Sequence, residues 1–292
     1  MDASVSTSFV IASRNRADEL ATTVARLLDS TACPIVVVDN DSHDNSIAVM
    51  SRMANRSSGR LQVIELDTNR GAVARNIGVA ATTTPYVAFC DDDSWWTPDA
   101  PTIAAELFDR CPSLGLLAAR TIVWPQRRED PFSALLANSA LGLRPGLPGP
   151  SILGFMSCAA MVRKRAFEAA GGFNDILHFR GEEQLLAVDL AALGWDLCYC
   201  AELTAIHQPS SVRATTAAQN ARIVRNSVLT TWLRRPIAQC VKATGVLLGA
   251  AVRDREHARA AVEAILRLPD VVKERKPLPA RIEHDLAVLA SH

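Results

Sequence analysis

The sequence predicts an α/β fold, a mostly parallel sheet flanked by helices, followed by a C-terminal helical extension. Short apolar runs alternate with helix-patterned segments through residues 8–90. The repeat is about thirty residues, the size of a βαβ unit with its right-handed crossover. The second run is continuously β-branched rather than alternating, which marks a strand buried on both faces.

The elements follow in order. Residues 8–12 form the first run and stop at Ser13, Arg14, Asn15 and Arg16, after which Leu20, Val24, Leu27 and Leu28 give helical spacing. Residues 34–38 form the second, ending at Asp39, Asn40, Asp41 and Ser42, with a helix around 44–53. The third, 61–66, ends near Asn69, Arg70 and Gly71, and a small-residue helix spans 71–81. The fourth, 86–90, ends at Asp91, Asp92 and Asp93, just before Trp95 and Trp96. All four strands deliver polar residues at their C-terminal ends, where open α/β sheets bind ligands. Arg14 and Arg16 offer planar, permanently charged forks to a pyrophosphate or base. Asp39 and Asn40 can read a nucleobase edge or a ribose, and Arg75 and Asn76 sit early on a helix that permits close backbone approach. Singly, each is equally explained by helix capping or tight packing. Their convergence is what argues for a site.

Composition narrows the class. The 292 residues are 49% hydrophobic and carry 31 basic and 31 acidic side chains, which gives no global reason to expect nucleic acid as partner. Seven cysteines, odd in number and without a CxxC pair, fit a reducing cytoplasm. The first residues lack a signal-peptide pattern and no uncharged run has membrane-spanning length. A cytoplasmic protein, or one peripheral at the inner face of the membrane, is expected.

The aspartate triplet is the most informative feature. Adjacent carboxylates repel, and a divalent cation such as Mn²⁺ or Mg²⁺ offsets that directly, because hard ions take carboxylate oxygens. The plain alternative is a solvated acidic turn capping the next helix.

Taken together, Ser13 to Arg16, Asp39 to Ser42, Asn69 to Gly71 with Arg75, Asn76 and Gly78, and Asp91 to Asp93 resemble the family 2 glycosyltransferases of the GT-A fold, with its Rossmann-like mixed sheet. The resemblance implies a nucleotide-sugar-binding catalytic domain over residues 1–210; beyond it the resemblance fades, and residues 211–292 read as a helical extension. By position, Asp91 and Asp93 match the metal-holding acids of the DXD motif, and Asp39 and Asn40 match residues that hold the base. Arg14, Arg16, Arg75, Asp91 and Asp92 complete the expected nucleotide-sugar site.

The second half supplies the acceptor side of the resemblance. Residues 151–162 look like the strand that continues the sheet. Gly171, Gly172, Phe173 and Asn174 resemble the family's GGF turn, which borders the acceptor and sugar pocket. Glu182 and Glu183 resemble its ED motif, whose second acid is generally the catalytic base. A sugar hydroxyl is a poor nucleophile, so a carboxylate must take its proton. Two acids at a helix N-terminus are also favoured by the macrodipole alone, and Glu182 competes with Glu183 for the role. His207, at the end of a last strand, completes the metal site in many relatives and is otherwise a surface residue. Trp95 and Trp96 suit stacking on an acceptor or packing in the core. Residues 124–150, with five prolines and three glycines, read as a loop over the acceptor site. Beyond residue 211 two helical segments include an apolar stretch, 246–252, flanked by Lys242, Arg253 and Arg255. It suits a membrane surface, a cap on the catalytic domain or a homodimer contact.

The expected function is inverting, metal-dependent transfer of a sugar from a UDP-, dTDP- or GDP-sugar to a hydroxyl of a glycan, lipid-linked or small-molecule acceptor. A nucleotidyltransferase is the rival enzyme, although the chain has no Gly-rich phosphate loop near its start. A nucleotide-binding module without turnover is the non-enzyme rival.

Overall fold

The structure is a computed structural model and describes residues 5–210 and 216–291. Residues 1–4, read for a signal peptide, residues 211–215, where the extension was expected to begin, and residue 292 lie outside the described residues. The first half is β1 (Thr7–Ser13), α1 (Ala17–Ser30), β2 (Ile35–Asn40), α2 (Ser46–Arg56), β3 (Leu61–Leu66), a 3₁₀ turn (Gly71–Val73) running into α3 (Ala74–Ala81), and β4 (Tyr86–Cys90). β1 pairs in parallel with β2 and β4, and β2 with β3. The chain winds outward from β1 to β3 and returns to β4 on the other side of β1. The crevice between β1 and β4 is therefore the topological switch point, where ligands bind in such sheets.

The second half adds β5 (Ser94–Trp96), α4 (Ala100–Arg110), β6 (Leu114–Val123), β7 (Arg128–Glu129), α5 (Pro131–Ala137), β8 (Ala160–Arg163), α6 (Lys164–Ala169), α7 (Glu182–Ala192) and β9 (Asp196–His207). The sheet runs β3-β2-β1-β4-β8-β6-β9-β5, with β7 on β6. β8 is antiparallel to β4 and β6, whereas β6 and β9 are parallel. Two expectations change here. Residues 151–162 are not one strand: only their end enters β8, because Ser151 makes a single bridge to Cys198 and residues 157–159 turn tightly before joining the sheet. Residues 124–150 are not a free loop: they hold α5, whose Leu136 is buried, and Gly149 sits so close to β9 that a Cβ there would lie 2.0 Å from the Tyr199 carbonyl oxygen.

Alternation along the strands sorts side chains to opposite faces. Phe9, Ile11 and Val37 face a layer with Leu20, Leu27 and Leu107, while Val10, Val36 and Phe89 face one with Leu185 and Leu186. The second layer also takes in the C-terminal helices α8 (Thr216–Arg234), α9 (Ile237–Ala251), α10 (Arg255–Leu266), α11 (Leu268–Glu274) and α12 (Ala280–Ala290). Leu229, Leu233, Ala264 and Ile282 are buried in the same cluster as the sheet residues. A buried bidentate pair fixes the join: Arg234 of α8 donates to both carboxylate oxygens of Asp189 of α7, at 2.5 and 2.9 Å. Among the described residues no helix is long and apolar enough to cross a membrane.

Candidate active site

A cavity of about 740 Å³ opens at the carboxyl ends of β1, β2 and β4. On its β1 side, Ser13 Oγ donates to Asp92 Oδ2 at 3.0 Å, Arg14 pairs with Asp41 at 3.1 Å, and Arg16 lies 3.7 Å from Glu19. At the end of β2, Asp39 is 1% exposed; its Oδ1 accepts from the Ser42 amide, while Oδ2 is enclosed without a hydrogen-bond partner. Asn40 accepts from the Arg70 amide at 2.7 Å and donates to the Gly71 carbonyl at 3.0 Å. Both ends of that side chain therefore pin the 70–71 turn. Gly71 has φ +57°, and a Cβ there would lie 2.2 Å from the His178 carbonyl oxygen, which accepts from the Ala72 amide.

Arg75, 5% exposed, places Nη2 at 2.5 Å from Asp91 Oδ1. Burial disfavours its charge, but the carboxylates of Asp91, Glu182 and Glu183 more than offset this and raise its pKa. Burial, then the charges of Asp91 and Asp93, push the Asp92 carboxyl up to about 7. Burial acts the same way on Asp93. There His207, the Ser210 amide at 3.1 Å and Arg16 outweigh it and hold the carboxyl below its ordinary value. His207 Nε2 lies 3.4 Å from Asp93 Oδ1.

α7 opens at Gly181, φ +83°, with the two glutamates in its first turn. Glu182 is 2% exposed, and burial followed by the charge of Glu183 raises its carboxyl to about 8. Glu183 is half-buried and accepts from Ser157 Oγ at 3.0 Å.

The cavity thus gathers Arg14, Arg16, Asn40, Arg75, all three aspartates, both glutamates and His207. Asp39, beside Asn40, is buried and outside the lining, and other expected residues lie elsewhere. Trp96 is 1% exposed and donates Nε1 to the Phe89 carbonyl, so it belongs to the core and not to an acceptor surface. Trp95 lines a separate cavity of about 190 Å³, with the Arg26 guanidinium 3.8 Å above its ring. Phe173 is buried against Phe89 and Phe167 at 5.6 Å, and Gly172, φ +68°, backs onto Asn76, whose amide clamps both backbone polar groups of Phe173. The glycine-phenylalanine turn is therefore scaffold behind Arg75. Residues 124–150 contribute nothing to the cavity lining. Among the described residues, no three His, Cys, Asp or Glu side chains converge as a metal-binding group; Asp91 turns to Arg75 and Asp93 to His207.

Sequence reasoning missed Ser157, Cys158, His178, Arg180, Arg222 and Ile223, which also line the cavity. The left-handed backbone at His178 and Arg180 has no signature in those residue types. α8 arrives by tertiary packing, which leaves no local pattern.

The family described as "Glycosyl transferase family 2" matches residues 8–171. The chain is 33% identical over 197 residues to the pre-mycofactocin glycosyltransferase of Mycobacterium tuberculosis (strain CDC 1551 / Oshkosh), covering 65% of this chain and 40% of that protein. It is 37% identical over 91 residues to the succinoglycan biosynthesis protein ExoU of Rhizobium meliloti (strain 1021), covering 30% and 26%. The matches thus span less than half the length of either relative. Among solved structures, the mannosyltransferase PcManGT of Pyrobaculum calidifontis, in complex with GDP-Man and Mn²⁺, superposes with a TM-score of 0.62 at 17% identity over 98% of this chain and 81% of that one. S. aureus TarS gives 0.58 at 17% identity over 78% and 39%. These likenesses establish the GT-A fold, and with more than half of its length matched the chain belongs to glycosyl transferase family 2.

Proposed function

We propose that the protein transfers a sugar, with inversion, from a nucleoside-diphosphate sugar to an acceptor hydroxyl, with a divalent metal bound at the aspartate cluster. One observation carries the reading: a single cavity at the switch point holds the Arg75–Asp91 pair, the Asp93–His207 pair and Glu183. Donors of this class are supported by the neighbours, since PcManGT is described with GDP-Man and TarS with UDP-GlcNAc.

The enclosed Asp39 Oδ2 is a buried acceptor of the kind that calls for a partner, and an N–H of a nucleobase would supply one. Carboxylate oxygens and an imidazole are a donor set suited to Mn²⁺ or Mg²⁺. Burial and then the like charges of Asp91 and Asp93 raise the Asp92 carboxyl, and a cation would relieve the second of these. Asp91, Asp93 and His207 would hold the ion, which when bound supplies Lewis-acid neutralisation of the diphosphate leaving group. Arg75 holds Asp91 in place and keeps a buried positive charge beside the same diphosphate. Glu183 takes the acceptor proton, steadied by Ser157. Glu182, with its carboxyl protonated at neutral pH, is the poorer base and serves to position α7.

Residues 1–210 then form the catalytic domain and α8 to α12 a cap on it. α9 leaves Ile237, Val241 and Leu248 exposed at helical spacing, and exposed Val252 follows its end, beside exposed Lys242 and Arg253. That face suits peripheral contact with an anionic membrane carrying a lipid-linked acceptor. Product analysis tests the reaction class. Incubation with UDP-, GDP- and dTDP-sugars and Mn²⁺ should release nucleoside diphosphate; release of pyrophosphate from nucleoside triphosphates instead would favour a nucleotidyltransferase.

A further inference from the structure

Residues 178–181 and α8 build part of the cavity wall, and glycosyl transfer as described leaves it without a task. This segment is strained: His178 (φ +61°) and Arg180 (φ +74°) adopt left-handed backbone that non-glycine residues rarely occupy, and Gly181 follows at +83°. Asn226 of α8, fully buried, holds it there. Its Nδ2 faces the carbonyl oxygens of Leu177, Phe179 and Arg180 at 3.0, 2.9 and 2.5 Å. The same stretch leads directly into Glu182 and Glu183, so α8 fixes this wall and the N-terminus of α7 together.

Two cations on this wall are left over from structural duty. Arg225 and Arg234 of α8 are tied to Glu263 and Asp189. Arg180 and Arg222 line the cavity, and among the described residues neither has a carboxylate within ion-pair reach. His178, also in the lining, has its pKa lowered by burial and then by Arg222 and Arg225, which places it in their positive field. The aspartate cluster follows the carboxyl end of β4, where Arg75 of α3 is already paired with Asp91.

We propose that Arg180 and Arg222 form a subsite for an anionic group, a carboxylate or a phosphate, carried by the acceptor. An anion anchored there, a short distance along the chain from Glu183, orients the acceptor so that its hydroxyl meets the base. Guanidinium forks suit either anion. The word acceptor rests on the glycosyl-transfer reading; the anion subsite does not.

The test is calorimetric titration of the protein with glucuronate, glycerol 1-phosphate and neutral glucose, with and without saturating UDP or GDP and Mn²⁺. It is repeated on Arg180→Gln and Arg222→Gln. The subsite predicts binding of at least one anion but not of glucose, weakened about tenfold in each variant, with nucleotide affinity changed less than about twofold. Preference for glucuronate marks an acidic saccharide acceptor; preference for glycerol 1-phosphate marks a phosphate-linked one. Anion affinity unchanged in both variants, or glucose bound as well as the anions, overturns the subsite. Equal loss of nucleotide affinity overturns it too, by assigning the arginines to the donor diphosphate. If the wild type binds an anion but no nucleotide, the glycosyl-transfer reading fails while the subsite stands.

Discussion

The guanidinium of Arg75 lies 2.5 Å from Asp91, and it is the buried member of the pair, with 6% of its side chain exposed against 34% for Asp91. A cation so enclosed is held by the acids around it, and its charge in turn offsets theirs. Arg75→Met should therefore leave the charges of Asp91 and Glu183 without compensation. Breaking a fully buried pair costs roughly 3–5 kcal/mol, and with Asp91 one-third exposed we expect about 2 kcal/mol in urea unfolding. A variant as stable as the wild type would show that the pair is not holding the acids together.

Glu183→Gln should lower kcat by roughly 10²–10⁴ while leaving nucleotide affinity near wild type, the pattern of a lost general base. Glu182→Gln should be the milder change. Steady-state kinetics with the donor found by product analysis decides it, and the reverse ranking would move the base to Glu182.

Glu182 also sets a pH dependence. Its folded carboxyl titrates near 8 against an ordinary value of 4.5, so the folded state keeps a proton that the unfolded chain releases. Its contribution to stability is present below 4.5 and is lost as pH rises to about 8. Glu182→Gln should abolish that loss. Melting temperatures of variant and wild type should diverge in the variant's favour between pH 5 and 8, and parallel curves would contradict the assignment.

Two glycines with left-handed backbone separate steric from conformational cost. Gly59, φ +82°, has open space where a Cβ would go, whereas Gly71 has the His178 carbonyl oxygen at 2.2 Å. Gly59→Ala should cost about 1 kcal/mol of backbone strain. Gly71→Ala must also displace the 178–181 wall, and should lower both stability and activity by clearly more. Equal melting temperatures for the two variants would mean that the wall is not packed against Gly71.

Much of this was legible in the residues. Continuous apolar runs ending in Ser13, Asp39 and Asp91 specify a parallel sheet and the side on which its site lies, because strand burial and strand-end polarity are local properties. β6 has no clear signal in the sequence, and residues 151–162 read as a strand, since a short apolar segment looks alike whether or not it pairs. Trp96 and Phe173 show a related ambiguity: an aromatic suits a sugar surface and a core equally, and only packing decides. Asn226, Arg180 and Arg222 act through contacts between distant segments, which no linear pattern records.

If the acid-lined cavity is a metal-dependent donor site, nucleotide and metal bind it together. The most direct measurement is a thermal-shift panel of UDP, GDP, dTDP and CDP, each with and without Mn²⁺, on wild type and Asp93→Ala. One nucleotide should raise the melting temperature of the wild type only with Mn²⁺, and Asp93→Ala should lose the effect. Stabilisation that is indifferent to metal, or retained in Asp93→Ala, would contradict it, as would the absence of any shift at saturating nucleotide.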